Sequence, residues 1–295
     1  MGAISQNKKK KLQPYYLTIC ILMIAFVSTI LYPFIYLLAV SLSGDLAVLQ
    51  NRVWLWPVDF TVAAYKKVIE VPGFFQGYLN TIYYTVLGTL IGLTVTCLTA
   101  YPLSKQYLKG RRFFNLMFVF TMMFSGGLVA SYINYRSLNI LNTVWAVVLP
   151  GAISAYNMIL TRTFFEQIPV SLEESAKLDG AGDLTVFAKI YLPLSIPIIS
   201  TIMLFIVVGR WNSWFHEFIV LMDKSKYPVQ IVIRNVVLED EIRLAQQQAM
   251  DDKTTVTVTS LKYSIIILTM VPMLILYPFI QKYLVKGIMV GAIKG

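Results

Sequence analysis

Polar and aromatic residues crowd one stretch of an otherwise apolar segment, Gly209-Arg210-Trp211-Asn212-Ser213-Trp214-Phe215-His216-Glu217. An ionisable side chain within a bilayer is costly and by default marks a functional site. If the helix enters near Leu194, Arg210 lies roughly 24 Å along it, past the midpoint of a ~30 Å hydrocarbon core. Continued as one helix, the segment places Arg210, Trp214 and Glu217 at i, i+4 and i+7 on a single face. Arg210, Asn212 and Trp214 then offer hydrogen bonds and an aromatic ring to a sugar in an aqueous path. The plainer alternative has Arg210 snorkelling or pairing with Glu217, and the tryptophans at the interface. Both readings stay open for Arg210 and Asn212, while Trp211 reads as interfacial. His216 is the only histidine in the chain, so it reads as interfacial rather than as a metal ligand.

A second stretch, Glu173 to Pro193, is the one long polar run between two strongly apolar segments. Glu173, Glu174, Ala176, Lys177 and Leu178 favour helix, and Asp179-Gly180 stops it, because glycine takes the left-handed C-cap conformation without a side-chain penalty. Asp183 suits the N-cap of a second short helix, and Leu192-Pro193 turns the chain into the next apolar segment.

Other chemistry lacks residues. No G-x-x-x-x-G-K-[ST] loop occurs, so this chain does not bind ATP through a P-loop. It has no H-E-x-x-H, no G-x-S-x-G and no carboxylate pair placed for hydrolysis. Glu239, Asp240 and Glu241 are consecutive and read as a solvated helix start, not as the interfacial cluster that an enzyme acting on lipid-linked sugar requires. No acidic residue falls mid-span, which argues against proton- or sodium-coupled transport. Cys20 and Cys97 lie in apolar segments and imply neither a disulfide framework nor a C-x-x-C metal site.

The elements that hold these stretches are membrane helices. The 295 residues are 57% hydrophobic and 14% charged, with a mean hydropathy of +0.66. Soluble domains average about 25% charged residues. The net charge of +10 belongs to basic residues clustered at segment ends, so it speaks for orientation in a membrane rather than for nucleic acid. Residues 1–14 form a basic N-terminus with Lys8 to Lys11. The run that follows, Tyr15 to Leu42, exceeds the about 7–15 apolar residues of a signal peptide and reads as a retained first helix. Five further spans are predicted: Leu79 to Tyr101, Phe113 to Ile133, Thr143 to Phe165, Ile190 to Met222, and Leu261 to Tyr283. Ser125-Gly126-Gly127 in the third are small residues that permit close helix approach. Pro150-Gly151 predicts a kink in the fourth. Between the first two spans, Trp54 and Trp56 suit the interfacial belt, and Ala63 to Ile69 form an amphipathic patch.

Orientation follows from the 25 Lys and Arg residues. Fourteen fall on one side, Lys8 to Lys11, Lys105, Lys109, Arg111, Arg112, Arg162, Lys177, Lys189, Lys282, Lys286 and Lys294, against ten on the other, with Arg210 inside a span; the bias is modest, but the first group abuts span ends, which the positive-inside rule makes cytoplasmic. The expected architecture is all-α and integral to the membrane: six transmembrane helices over residues 15–295, N-in and C-in. An inner loop covers residues 166–189, an outer loop residues 223–260, and a solvated tail residues 284–295.

The Glu173–Pro193 stretch resembles the EAA loop of ABC-importer permeases: E-A-A, three residues, G, nine residues, I-x-L-P. Glu174-Ser175-Ala176, Gly180, Ile190, Leu192 and Pro193 stand at that spacing, with Ser175 in place of the middle alanine. Further matches run from Tyr32-Pro33-Phe34 through Met123-Phe124-Ser125-Gly126-Gly127, Arg210 to Phe215 and Lys226-Tyr227-Pro228-Val229-Gln230 to the tail from Tyr277. The resemblance covers essentially the whole chain. It is to the maltose-type permease family, second-subunit type, in a branch handling complex and uronate-containing oligosaccharides such as pieces of alginate or pectin.

This resemblance implies a type I ABC-importer permease fold in a bacterial inner or plasma membrane, crossing it several times. It implies a heterodimer with a sister permease, two ATP-binding subunits that hold ATP and Mg, and an external sugar-binding protein. No cofactor is implied on this chain, which is a transport subunit and not an enzyme. Coupling to the ATPase falls on Glu173, Glu174, Ala176, Asp179, Gly180 and Ala181, with Glu174 as salt bridge or cap and Ala176 and Gly180 allowing close approach. The translocation path falls on Arg210, Asn212, Trp214 and Glu217. Tyr227, Gln230 and the polar stretch 238–252 of the outer loop meet the binding protein. The alternative, an ion- or proton-coupled sugar carrier acting without ATPase partners, requires the central acidic residue that the spans lack.

Overall fold

The computed structural model describes residues 14–247 and 256–292. In chain order its helices are α1 (Pro14–Ser41), α2 (Asp45–Leu49), α3 (Ala63–Glu70), α4 (Phe74–Ser104), α5 (Arg111–Met123), α6 (Gly127–Ser137), α7 (Val144–Val148), α8 (Ala155–Phe165), α9 (Val170–Leu178), α10 (Asp183–Val186), α11 (Leu192–Leu194), α12 (Ile196–Trp211), α13 (Phe215–Val220), α14 (Val229–Gln247) and α15 (Val256–Ala292). A π-helical turn, Phe187–Tyr191, joins α10 to α11. No strand occurs among the described residues.

Among the described residues, three helices are long and apolar enough to cross a membrane: Tyr15–Ser41, Phe74–Ser104 and Thr259–Pro278 within α15. Two bent pairs raise the number to five if each is one span. The predicted third span is one of them, α5 and α6 meeting at 115°. Its Ser125-Gly126-Gly127 serve that bend and not a helix contact, since Gly127 has φ +78° and nothing lies within 4 Å of where its Cβ would be. The predicted fourth span is broken more deeply than a kink, residues 149–154 separating α7 from α8. The fifth is α12, bent by 80° from the Asp183–Leu194 segment. The bend falls at Ser195, flanked by Pro193 and Pro197. Past Tyr283, where a solvated tail was expected, the backbone stays helical to Ala292.

The chain divides into two units. Within one, the last turns of α1 pack on α2 through Ala39, Val40, Ala47 and Val53. The Ser43 hydroxyl donates to the Ala39 carbonyl and accepts from the Val58 amide. Trp54 and Trp56 project outward from the loop that follows.

The other unit, residues 70–239 and 269–292, contains both polar stretches. Its centre is α4, which packs against α8 and α12. The contact face carries Gly77, Thr81, Thr85, Gly88, Gly92, Thr96 and Ala100, small residues at near-four spacing that let other helices approach closely. At Gly92 a Cβ would stand 3.1 Å from the Ile206 side chain. One core cluster, with Cys97, Leu103, Met158, Phe165, Phe187 and Tyr191, lies toward the Lys105 end of α4. A second joins Tyr84, Ala146, Val147, Val148, Val220 and Leu221.

Candidate functional site

At the first site, α9 ends in a Schellman motif. The Gly180 amide donates to the Lys177 carbonyl (3.0 Å) and the Ala181 amide to the Ala176 carbonyl (2.9 Å). Gly180 adopts φ +83°, a conformation glycine takes without penalty and L side chains resist. A Cβ at Gly180 or Gly182 would meet open space. Asp179 is the C-cap and is exposed. The expected N-cap of the second helix shifts by one residue, Gly182 taking that place and Asp183 the first turn. There the Asp183 carboxylate sits 3.1 Å from Lys177 Nζ.

The two adjacent glutamates part company. Glu173 is buried, and Glu174 is exposed. Glu173 Oε2 accepts from Lys105 Nζ at 2.5 Å and from the Tyr191 hydroxyl at 3.1 Å, while Lys177 Nζ lies 2.9 Å from Oε1. The Lys105 ammonium also lies over the rings of Tyr191 (3.7 Å) and Tyr101 (4.2 Å), in cation–π geometry. Burial alone would raise the Glu173 carboxyl, but hydrogen bonds from Lys105 and Lys177, with the Lys105 charge and Tyr191, bring it down to about 2. Lys105 moves the other way from an amine's usual stabilisation in an ion pair. Burial pushes it down, and Glu173 only partly offsets that. Glu173 collects four donors in place of water, Lys105, Lys177, Tyr191 and, at 3.4 Å, the Tyr107 hydroxyl, whereas Lys105 exchanges its hydration for one carboxylate and two ring faces; the pair is charged, and Glu173 is the better solvated half.

Ala176 and Ala181 turn inward, half-buried against the cluster around Met158 and Phe165. The outward side of the loop carries Glu174, Asp179, Leu178 (89% exposed) and Leu184 (78% exposed). The two leucines were not singled out in the sequence.

At the second site, the helix does not continue through the Arg210 stretch. α12 ends at Trp211 and α13 begins at Phe215. Arg210, Trp214 and Glu217 therefore do not share one helical face. The Asn212 side-chain amide donates to the Val208 carbonyl (2.9 Å), which also accepts from the Asn212 backbone, a side-chain bond that competes with the helical ladder, and in the gap that follows the Ser213 hydroxyl donates to the Glu217 carboxylate (2.8 Å). Arg210 donates to the carbonyls of Val147 (2.5 Å), Val148 (2.7 Å) and Pro150 (3.0 Å). It thus satisfies carbonyls at the C-terminus of α7, where a helix leaves them unpaired and a cation is favoured. Gly88 makes room, because a Cβ there would stand 3.0 Å from Arg210 Nε.

Beside the guanidinium lies a cavity of about 410 Å³, with Asn157, Arg210, Ser213 and Glu217 among its polar lining. Glu217 is buried, so its carboxylate reaches the cavity from a sheltered position. His216 also faces it; its Nε2 lies 2.8 Å from the Ala146 carbonyl, which can only accept, so Nε2 carries the proton. Asn212 is exposed. Trp214 is half-buried, with the Arg234 guanidinium 4.9 Å from its ring centre. Trp211 is not interfacial: it is buried, its Nε1 donates to the Thr269 carbonyl (3.1 Å), and its ring meets the Tyr78 ring edge-on.

Tyr227 and Gln230 lie together where α14 begins, both half-buried. The Tyr227 carbonyl accepts from the Asn80 side chain, and its ring packs toward Phe218. The polar stretch 238–252 reaches only Gln247 within the described backbone, and residues 248–255 lie outside it.

No family model matches the chain. Protein LplC of Bacillus subtilis is 38% identical over 263 residues, covering 89% of each chain. The polygalacturonan/rhamnogalacturonan transport system permease protein YtcP of the same organism is 37% identical over 263 residues, 89% of this chain and 92% of the relative. Among solved structures, a chain from a bacterial ABC transporter involved in the import of the acidic polysaccharide alginate superposes with a TM-score of 0.84 at 34% identity, covering 93% of this chain and 98% of that one. With this similarity along nearly its whole length, and a helix–glycine–helix loop at the EAA spacing, the chain belongs to the family of permease subunits of ABC-type oligosaccharide importers.

Proposed function

We propose that this permease forms half of a path for acidic oligosaccharides derived from pectin or alginate, and that residues 173–193 are its contact with an ATPase subunit. Permease subunits of the family are not themselves enzymes, and ATP hydrolysis occurs on separate ATPase subunits. The observation that carries the coupling assignment is the outward face of the loop. Glu174, Leu178 and Leu184 are exposed around a left-handed Gly180 whose Cβ direction is empty. Exposed leucines on a short polar loop are stabilised by a partner surface and by nothing within the described chain. In this reading ATP binding draws two ATPases together, the loop follows, and this chain rotates against a sister permease, with an external sugar-binding protein delivering the substrate at Tyr227 and Gln230.

The substrate assignment rests on the relatives' transport of polygalacturonan, rhamnogalacturonan and alginate, together with the cavity at Arg210. Asn157, Ser213 and Glu217 supply donors and acceptors for sugar hydroxyls there, and Arg210 supplies positive charge even though three of its N–H bonds are spent on carbonyls. The carrier driven by an ion gradient finds no support among the relatives.

The experiment is co-purification followed by uptake. The tagged chain is expected to hold a sister permease and an ATPase in fixed stoichiometry, and the reconstituted complex to import galacturonate or alginate trisaccharide only with ATP. Gly180→Trp is expected to abolish uptake while the chain still inserts. Uptake without ATP by the chain alone, or normal uptake by Gly180→Trp, would overturn the assignment.

A further inference from the structure

We propose that Lys105 and Glu173 are positioning residues that clamp α9 to the end of α4 and to the segment leading into α12, so that the loop and the membrane helices move as one body. The inference rests on the coupling role proposed above and adds the means by which motion passes inward.

The need for a clamp is visible in α9 itself. Its large apolar residues, Val170, Leu172 and Leu178, are all exposed, so hydrophobic burial does not hold this helix down. Inward it offers Glu173 and the small Ala176. Attachment therefore falls on polar contacts, and they converge on Glu173. One carboxylate oxygen takes Lys105, just past the end of α4, and Tyr191, on the π-helical turn before α12. The other lies against Lys177 on α9. Lys177 also reaches Asp183 on α10, and the Tyr101 hydroxyl of α4 donates to the Asp183 carbonyl (3.3 Å). A push on the outward face of α9 or α10 thus reaches α4 at two points and α12 at one.

The chemistry makes this link stiff. The side chains of Lys105 and Glu173 are each 6% exposed. A charge pair withdrawn from water cannot slide by a fraction of a contact, because either partner alone would be a buried unpaired ion. Apolar packing would tolerate such slippage; the clamp does not. Extra residues in π-helical turns recur at functional sites, and this one carries the tyrosine that completes the carboxylate's shell.

The test uses the whole complex in liposomes. Labels at Ser171→Cys, exposed on α9 outside the proposed ATPase contact, and Lys109→Cys, in a variant without Cys20 and Cys97, report the distance between the loop and the end of α4 by pulsed electron resonance, with and without ATP and vanadate. Uptake of galacturonate or alginate trisaccharide, whichever the unmodified complex imports, is measured per ATP hydrolysed. The unmodified complex is expected to keep one narrow distance in both nucleotide states. Lys105→Met and Glu173→Gln are expected to retain the ATPase subunit, to broaden that distance, and to lower uptake per ATP at least ten-fold. Lys105→Met combined with Glu173→Gln, which leaves no unpaired ion, is expected to regain thermal stability and remain uncoupled. An unchanged ratio in the single variants, or a double variant that regains both stability and coupling, would overturn the clamp. Loss of the ATPase subunit from either single variant would overturn it also, by reducing the pair to a folding requirement. Gly180→Trp, which leaves the clamp intact, separates the two claims. If it fails to transport while Lys105→Met transports normally, the loop couples without the clamp; if it transports normally, the coupling role falls and the clamp with it.

Discussion

Glu173 and Glu174 stand side by side in the sequence and do opposite work in the structure. Along a helix, neighbours differ by about 100°, so two adjacent glutamates on a docked helix can face opposite environments. Which one points in depends on Lys105, sixty-eight positions earlier, and no local pattern reveals it. Substitution of Lys105 alone leaves a buried carboxylate short of its closest cation, and breaking such a pair costs about 3–5 kcal/mol. The pH dependence follows with a definite sign. Glu173 is depressed in the folded chain, to about 2, against a normal value near ~4.3. Its ionised form therefore stabilises the fold fully above the normal value, and this contribution is lost as pH falls from there through about 2. A carboxyl titration of Glu173 by carbon NMR in nanodiscs is expected to show no protonation between pH 6 and pH 4. A midpoint above 4 would mean that the Lys105 and Lys177 contacts do not hold in solution.

At the scale of elements, α4 was read from the sequence as one apolar span and proved to be the helix on which α8 and α12 are built. The information was in its spacing, Gly77, Thr81, Thr85, Gly88, Gly92, Thr96 and Ala100 recurring at nearly every fourth residue. Ser125-Gly126-Gly127, the small residues expected to allow helix contact, are adjacent and so cannot line one face. Glycines in a row bend a chain; glycines four apart seat a neighbour. The Arg210 stretch shows the converse limit. Its polar residues were legible, but their placement assumed an unbroken helix, and it ends where the Asn212 side chain bonds back to the Val208 carbonyl. Gly88 links the two cases, because it seats Arg210. Gly88→Val is expected to push the guanidinium off the carbonyls of Val147, Val148 and Pro150. Each buried carbonyl left unpaired costs about 1–3 kcal/mol. A lower melting temperature in detergent and loss of uptake are the expected readings, with Gly88→Ala intermediate. A Gly88→Val complex with unchanged stability would show that Arg210 has other room.

For the whole molecule, composition was enough for a helical membrane protein, but the number of spans depends on how broken helices are counted. Contacts within the unit built on α4 bear on that count beyond length. α4 is 31 residues, about 46 Å at 1.5 Å per residue, so its ends lie on opposite sides of a membrane. Lys105 marks one side, and Glu173 touches it. Asn80, near the other end, donates to the carbonyls of Ser225 and Tyr227, and Lys226 donates to the Asn142 carbonyl at 2.8 Å. Asn142 thus belongs to the far side. Between Lys105 and Asn142 the chain must cross once, through bent α5 and α6. It must return once before Glu173, through broken α7 and α8, and leave again through α12 to reach Lys226. We propose that these four crossings, with α1 and α15 added by their length and hydropathy, make the six spans expected from the sequence, with the Lys105 side inner as the lysine and arginine bias implies. Single cysteines in a variant without Cys20 and Cys97 test this in right-side-out vesicles. An impermeant maleimide is expected to label Lys224→Cys in intact vesicles, and Lys109→Cys and Leu178→Cys only after permeabilisation. Were α7 and α8 a re-entrant hairpin, Leu178→Cys would label from outside while Lys109→Cys stayed protected, and the contact between Lys105 and Glu173 would have to be given up with the sixth span.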